Sequence, residues 1–224
     1  MAEVPGVARI FEGRAYRLAF IRKCYRLIGL GYARLNSESL CLAEETEITG
    51  ELVRAIAEAL ESDAHPSWMR FFFVADDPPQ NVAERLGRRR PRVDLEFIES
   101  RITPRNRFHC EAKRLNRSGS VSEYLGSEGL GMFLTGAYAS SEDEGGLIGY
   151  VQAGSISEWL GRIDAGFQKG ERDLALCAGT RFGAVDVGRD LRPVSLSCHE
   201  RTILGRRIHI FHILLLFAAI EVTK

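Results

Sequence analysis

The feature that most constrains this chain is a pair of short segments in which charged and large apolar residues alternate: Arg92-Val93-Asp94-Leu95-Glu96-Phe97 and Phe108-His109-Cys110-Glu111-Ala112-Lys113. A period of two marks a strand with one face to bury and one to present. The turn-forming run Thr103-Pro104-Arg105-Asn106 lies between them, so a hairpin is the simplest unit they can build. Val93, Leu95 and Phe97 would share one face of the first strand, and Phe108, Cys110 and Ala112 one face of the second. The opposite faces then carry Asp94, Glu96 and Ile98, and His109, Glu111, Lys113 and Leu115. Two acids meeting a lysine on one face form a seat for a divalent cation and a phosphate, which points to nuclease chemistry. A solvated sheet surface shows the same alternation, so the neighbouring elements decide between the two readings.

At 224 residues the chain suits one domain with a sizeable core. Formal net charge is +0, so no global field draws the chain to nucleic acid or to a membrane. Basic residues nevertheless cluster around the hairpin. Arg88, Arg89, Arg90 and Arg92 lead into it, Arg101, Arg105 and Arg107 occupy the turn region, and Arg114 and Arg117 follow Lys113. Such runs are often solvated loops; here they bracket the acids, where a phosphate backbone would need them. Arg90, Arg92 and Arg114 are therefore candidate nucleic-acid contacts.

The five cysteines are odd in number and include no C-x-x-C pair, and no secretory signal opens the sequence. Reduced thiols in a cytoplasmic protein are the expectation. Cys198, His199, His209 and His212 match no common structural zinc spacing. The apolar run Ile208 to Ile220 is broken by two histidines and falls short of the about 20 residues of a bilayer span, so no membrane association is expected. Ala153-Gly154-Ser155-Ile156-Ser157 is not a nucleophile elbow, and no lysine-serine pair follows Gly126-Ser127-Glu128-Gly129 to make a phosphate loop.

Apolar spacing predicts an amphipathic helix from about Val7 to Leu30 and a second from about Thr49 to Glu61, capped by Thr46 or Thr49, with Glu44, Glu45 and Glu47 at its positive end. Met69 to Val74 reads as a central strand. Ser122 to Tyr138 reads as a helix despite its glycines, Leu147 to Gln152 as a strand, and Ser155 to Phe167 as a helix. Further strands are expected near 174–178, 192–198 and 207–217. His199 and Arg201 alternate on one strand face and are placed to clamp a phosphate. His212, Tyr124 and Trp159 read as core residues.

The order helix, strand, Asp strand, E-x-K strand, helix, strand resembles the common core of the PD-(D/E)xK nuclease superfamily, the restriction-endonuclease-like fold. The resemblance covers residues 44–152, through Glu44 to Leu60, Phe71-Phe72-Phe73, Asp94, Glu111-Ala112-Lys113 and Leu147 to Gln152. Val93 stands where many members have proline. More narrowly, the chain is similar to uncharacterised bacterial nuclease-like proteins in Glu45 to Thr49, Glu128-Gly129, Gly149-Tyr150-Val151 and Ser197 to Arg201, which implies a restriction or anti-phage setting.

The resemblance implies an α/β (α+β) fold whose mixed central sheet is flanked by helices. Residues 1–224 would form a single domain, with 1–43 a helical extension, 44–152 the core, and 153–224 a C-terminal helix and strands. It implies that Asp94, Glu111 and the Ala112 carbonyl hold Mg2+ or Mn2+. Lys113 would orient or deprotonate the attacking water, with a further acid from Glu45 or Glu47 and a contact from Gln152. The expected partner is nucleic acid, DNA favoured, with a homodimer or partner subunit supplying specificity. The alternative is a catalytically silent nuclease fold kept as a binding subunit.

Overall fold

A computed structural model describes residues 15–62, 65–80, 90–170, 173–187 and 193–217. Arg88, Arg89 and the expected start of the first helix lie outside the described residues. Helix α1 spans Ala15–Tyr32 and α2 Glu45–Glu61. A 3-10 turn, Ser67–Phe71, leads into β1, Phe72–Asp76. The hairpin follows as β2, Leu95–Glu99, and β3, Asn106–Leu115. Two short helices, α3 (Ser120–Leu125) and α4 (Leu130–Leu134), precede β4, Glu144–Val151. The chain ends with α5 (Ile156–Lys169), β5 (Gly183–Val185), β6 (Val194–Arg201) and β7 (Arg206–Leu216).

The seven strands form one open sheet in the order β1-β2-β3-β4-β7-β6-β5. β4 pairs in parallel with β3 and with β7, and the other four pairings are antiparallel. One face packs against α1 and α2, where Phe20, Tyr25, Leu52 and Ile56 meet Leu95, Phe97, Phe108, Cys110, Ala112 and Phe211. The other packs against α3, α4 and α5, where Tyr124, Phe133, Trp159 and Phe167 cover Leu115, Leu147, Val151 and Leu214. The fold is thus mixed α/β, with helices on both faces of the sheet. α1 is part of this core and not an appendage to it. α5 carries a full capping box, in which Ser155 and Glu158 satisfy each other's backbone N–H groups.

Several elements differ from expectation for identifiable reasons. Phe71-Phe72-Phe73 does not form a central strand: β1 is an edge, and Phe71 and Phe73 are 41% and 55% exposed. The run is apolar because Phe72 and Met69 pack inward from a 3-10 turn, not because both faces are covered. The expected helix from Ser122 to Tyr138 breaks in two at Gly126–Gly129. There the backbone turns so tightly that a Cβ on Gly129 would lie 2.3 Å from the Tyr124 carbonyl oxygen. Near 174–178 the only pairing is an isolated bridge between Leu176 and His199. Neither threonine caps α2; its N-cap is Glu44, and Thr49 instead shares a hydrogen bond of 2.9 Å with the Tyr150 hydroxyl. Among the described residues no helix is long and apolar enough to cross a membrane.

Candidate metal centre

The hairpin forms in the register that places Leu95 opposite Cys110, Glu96 opposite His109 and Phe97 opposite Phe108. The alternation expected for its first strand fails at one residue. Asp94 sits on a bend just before β2, so Val93 joins the cluster under α3–α5 while Leu95 joins the cluster under α1 and α2. This bend makes the site. Because β2 stops pairing at Cys110, the rest of β3 has an open edge, with backbone donors that lack a strand partner.

Two carboxylates fill that edge. Asp94 Oδ2 accepts the Ala112 N–H at 2.7 Å, and Glu45 Oε2 accepts the Arg114 N–H at 3.2 Å. Glu45 reaches the edge from the first turn of α2. Lys113 lies between the acids, its Nζ donating to Glu45 Oε1 at 2.9 Å and to Glu111 Oε1 at 2.8 Å. In an extended strand the N–H and C=O of one residue point the same way, so the Ala112 carbonyl also faces the open edge. Glu45, Asp94, Ala112, Glu111 and Lys113 are therefore brought together. A cavity of about 340 Å3 adjoins Lys113 and Glu45 and is walled by Ser122, Glu123, Ser127 and Glu128.

The electrostatics are those of an under-neutralised acid pair. Burial, then repulsion from Asp94, pushes the Glu111 carboxyl up to about 8, with Lys113 pulling the other way. Burial also raises Asp94, against the lowering effect of the Ala112 N–H. Burial works to lower Lys113, but the charges of Glu111 and Glu45 hold its ammonium above the ordinary lysine value. Glu111 Oε2 is buried and has no hydrogen-bond partner.

These residues fit a hard divalent cation. Such an ion takes carboxylate, carbonyl and water oxygens, and the smaller Mg2+ is often held by one or two carboxylates while it keeps several waters. No group of three or more His, Cys, Asp or Glu side chains able to hold a metal occurs among the described residues. A cation here would rest on Asp94, Glu111, the Ala112 carbonyl and water.

The other expected residues divide. Arg92 and Arg114 lie at the rim, partly exposed and paired with Asp77 at 2.5 Å and with Glu44 at 2.7 Å. Arg90 is half-buried two residues before Arg92. Gln152 does not face the acids: its amide donates to the Leu40 and Ala43 carbonyls at 3.1 and 2.8 Å, tying down the segment that leads into Glu45. Glu96 accepts from His109 at 3.1 Å and from Arg107; although burial opposes it, these donors hold its carboxyl below the usual range.

His199 and Arg201 are corrections. They do share a face of β6, but that face is buried beneath helices and loops, so neither can clamp a phosphate. His199 binds the Leu174 carbonyl through Nδ1 at 2.6 Å and Ser197 Oγ through Nε2 at 2.7 Å, and burial pushes its imidazole down to about 4. Arg201 is 1% exposed and donates to the Ala139 and Glu142 carbonyls. His212 is a satisfied core histidine, bonded to the Tyr124 hydroxyl at 3.1 Å and to Ser197 Oγ at 2.8 Å.

Tyr138 was not anticipated. Its hydroxyl donates to the Arg92 carbonyl at 2.6 Å, and its pKa is raised by burial and then by the charges of Glu111 and Asp94, which places it against the acid pair. An aromatic residue just after a run of glycines, leading into a buried strand, is the faint signal that could have marked it. No family model, curated protein or solved structure matches this chain.

Proposed function

We propose that this chain is a metal-dependent nuclease that hydrolyses phosphodiester bonds of nucleic acid, DNA favoured, using Mg2+ or Mn2+. The observation that carries the reading is the convergence of Glu45, Asp94, Glu111 and Lys113 on the open edge of β3. The order α2, β1, β2–β3 hairpin, parallel β4 supports a PD-(D/E)xK, restriction-endonuclease-like core inside the mixed sheet. A bacterial restriction or anti-phage role rests on the sequence resemblance alone. The free cysteines, four of them buried, fit a cytoplasmic setting.

A bound divalent ion would neutralise phosphate charge and make a water molecule a stronger nucleophile at neutral pH. Asp94 and Glu111 would be the carboxylates that hold it, and the Ala112 N–H and Lys113 already position them. Lys113 keeps its proton, and an ammonium ion cannot accept another. Its part is to orient the attacking water and to offset the charge that grows on the phosphate. Glu45 Oε1 and Glu111 Oε1 hold that ammonium in place, and Glu111 Oε2 stays outside this pairing. Glu45, Glu123 and Glu128 outnumber Lys113 around the cavity, so a polyanion gains little there until a cation is bound.

The test compares wild type with Asp94→Ala and Lys113→Ala on labelled DNA and RNA, with and without Mn2+. Cleavage by wild type alone, and only with metal, is expected. Equal cleavage by all three proteins would remove the reading. Retained binding without cleavage in every protein would favour the silent binding subunit.

A further inference from the structure

We propose that Tyr138 and Arg201 are positioning residues of the metal centre, setting Asp94 through two hydrogen bonds joined by main chain, the first of them starting on β6. This rests on the metal-dependent reading above. Asp94 has no strand ladder to hold it. Its segment is fixed by the Asp77 N–H to the Asp94 carbonyl at 3.1 Å, by the Val93 N–H to the Pro78 carbonyl at 3.4 Å, and by the Tyr138 hydroxyl to the Arg92 carbonyl. The first two come from the segment after β1, as does the Gln80 N–H to the Pro91 carbonyl at 2.7 Å, whereas the last, at 2.6 Å, comes from the loop after α4.

Tyr138 is itself held from behind. Its ring meets Phe133 edge to face at 5.5 Å. Ala139, the next residue, has φ 50, a left-handed conformation that an alanine adopts only when its surroundings impose it. The imposing group is Arg201, whose Nη1 donates to the Ala139 carbonyl at 2.6 Å and whose Nη2 donates to the Glu142 carbonyl at 2.5 Å. Arg206 secures the far end of the same loop through Asp143, its Nε donating at 2.8 Å. Removing a guanidinium from water for the sake of two main-chain carbonyls is costly, and what it secures is the conformation at Ala139. The run Arg201, Ala139, Tyr138, Arg92 therefore ends two residues from Asp94. Arg201 acts on the site from inside the fold, without touching a phosphate.

Tyr138→Phe tests this, because it keeps the ring and its packing and removes only the hydroxyl. Mn2+ binding to the metal-free full chain is measured by calorimetry alongside thermal unfolding, then activity as a function of Mn2+ concentration. Outer-shell partners of metal ligands are worth roughly 10–100-fold in affinity. Tyr138→Phe should weaken Mn2+ binding by about that factor with its melting temperature nearly unchanged, and cleavage should recover at high Mn2+. Arg201→Lys, which retains a donor for one carbonyl, should fall between wild type and Tyr138→Phe. Wild-type Mn2+ affinity in Tyr138→Phe, with binding lost in Asp94→Ala, would overturn the inference and leave the metal centre standing. Unchanged Mn2+ binding in Asp94→Ala would overturn the metal centre and the inference together.

Discussion

Metal binding at this site should release a proton, and the amount should follow the Glu111 carboxyl. With that carboxyl pushed up to about 8, Asp94 and Glu111 together hold an extra proton at neutral pH. A cation must displace it before Glu111 can ligate. For a group titrating at 8, the ionised fraction is about 1% at pH 6, about 9% at pH 7, half at pH 8 and about 90% at pH 9. Apparent affinity for Mn2+ should therefore climb roughly tenfold between pH 6 and 7, and nearly 100-fold in all by pH 9, or about 2.7 kcal/mol. Lys113 does not blur this trend, because its ammonium stays charged throughout the range.

The assay is titration calorimetry in buffers of different ionisation enthalpy, which counts protons directly. Close to one proton per Mn2+ is expected at pH 6.5, about half at pH 8 and almost none at pH 9. Glu111→Gln, which has no proton to lose, should abolish the release along with most of the affinity. Binding at pH 6.5 with no release, and with the same affinity as at pH 9, would refute the reasoning, because the acid pair would then be fully ionised without its cation.

Three further outcomes probe the fold. The His199 imidazole sits at about 4 in the folded chain, against about 6.5 when unfolded, so the unfolded state takes up the proton first as pH falls. The resulting stability is complete above pH 6.5 and is lost as pH drops toward 4, by up to about 3 kcal/mol. Urea unfolding at pH 7 and 4.5 should show a smaller loss in His199→Gln than in wild type, and an equal loss would contradict the burial argument. A Cβ on Gly161, within α5, would meet nothing within 4 Å, so Gly161→Ala should stabilise by about 0.5–1 kcal/mol. Gly129→Ala would drive a methyl group into the Tyr124 carbonyl and should cost more than about 3 kcal/mol. Thermal unfolding checks both, and a neutral Gly129→Ala would show that the turn can relax.

The hairpin was legible because alternation is a local signal: Leu95, Phe97, Phe108 and Cys110 share one packed face as their parity says, while Val93, before the bend at Asp94, does not. The mixed sheet with flanking helices is what the resemblance in element order implies. What failed depended on distant parts of the chain. Parity put His199 and Arg201 on one face, but only the placement of α5 and of the loop at 139–142 determines that this face is buried. Apolar content marked residues 71–73 as strand-like, but edge or centre depends on which strands arrive later. The glycines after Tyr124 were weighed as weakened helix, where their close backbone approaches make a turn. Tyr138 was invisible because it works through the Arg92 carbonyl, and a backbone acceptor leaves no trace in sequence.

The acid pair stands apart from the other buried carboxylates in how poorly it is satisfied. Glu99 accepts from Tyr16, Lys23 and Asn106, Glu96 from His109 and Arg107, and Glu144 from Arg17. Each is neutralised where it is buried, as a structural carboxylate must be. Among the described residues Glu111 is ion-paired only with Lys113, which it shares with Glu45, and its Oε2 is the one buried carboxylate oxygen outside every geometric hydrogen bond. A chain selected for stability alone gains nothing from such a group, since a glutamine or an apolar residue would need neither a buried charge nor a retained proton. A partner from outside the chain would relieve that strain. A divalent cation would do so, and the bend at Asp94 brings that acid to the same edge of β3 as Glu111.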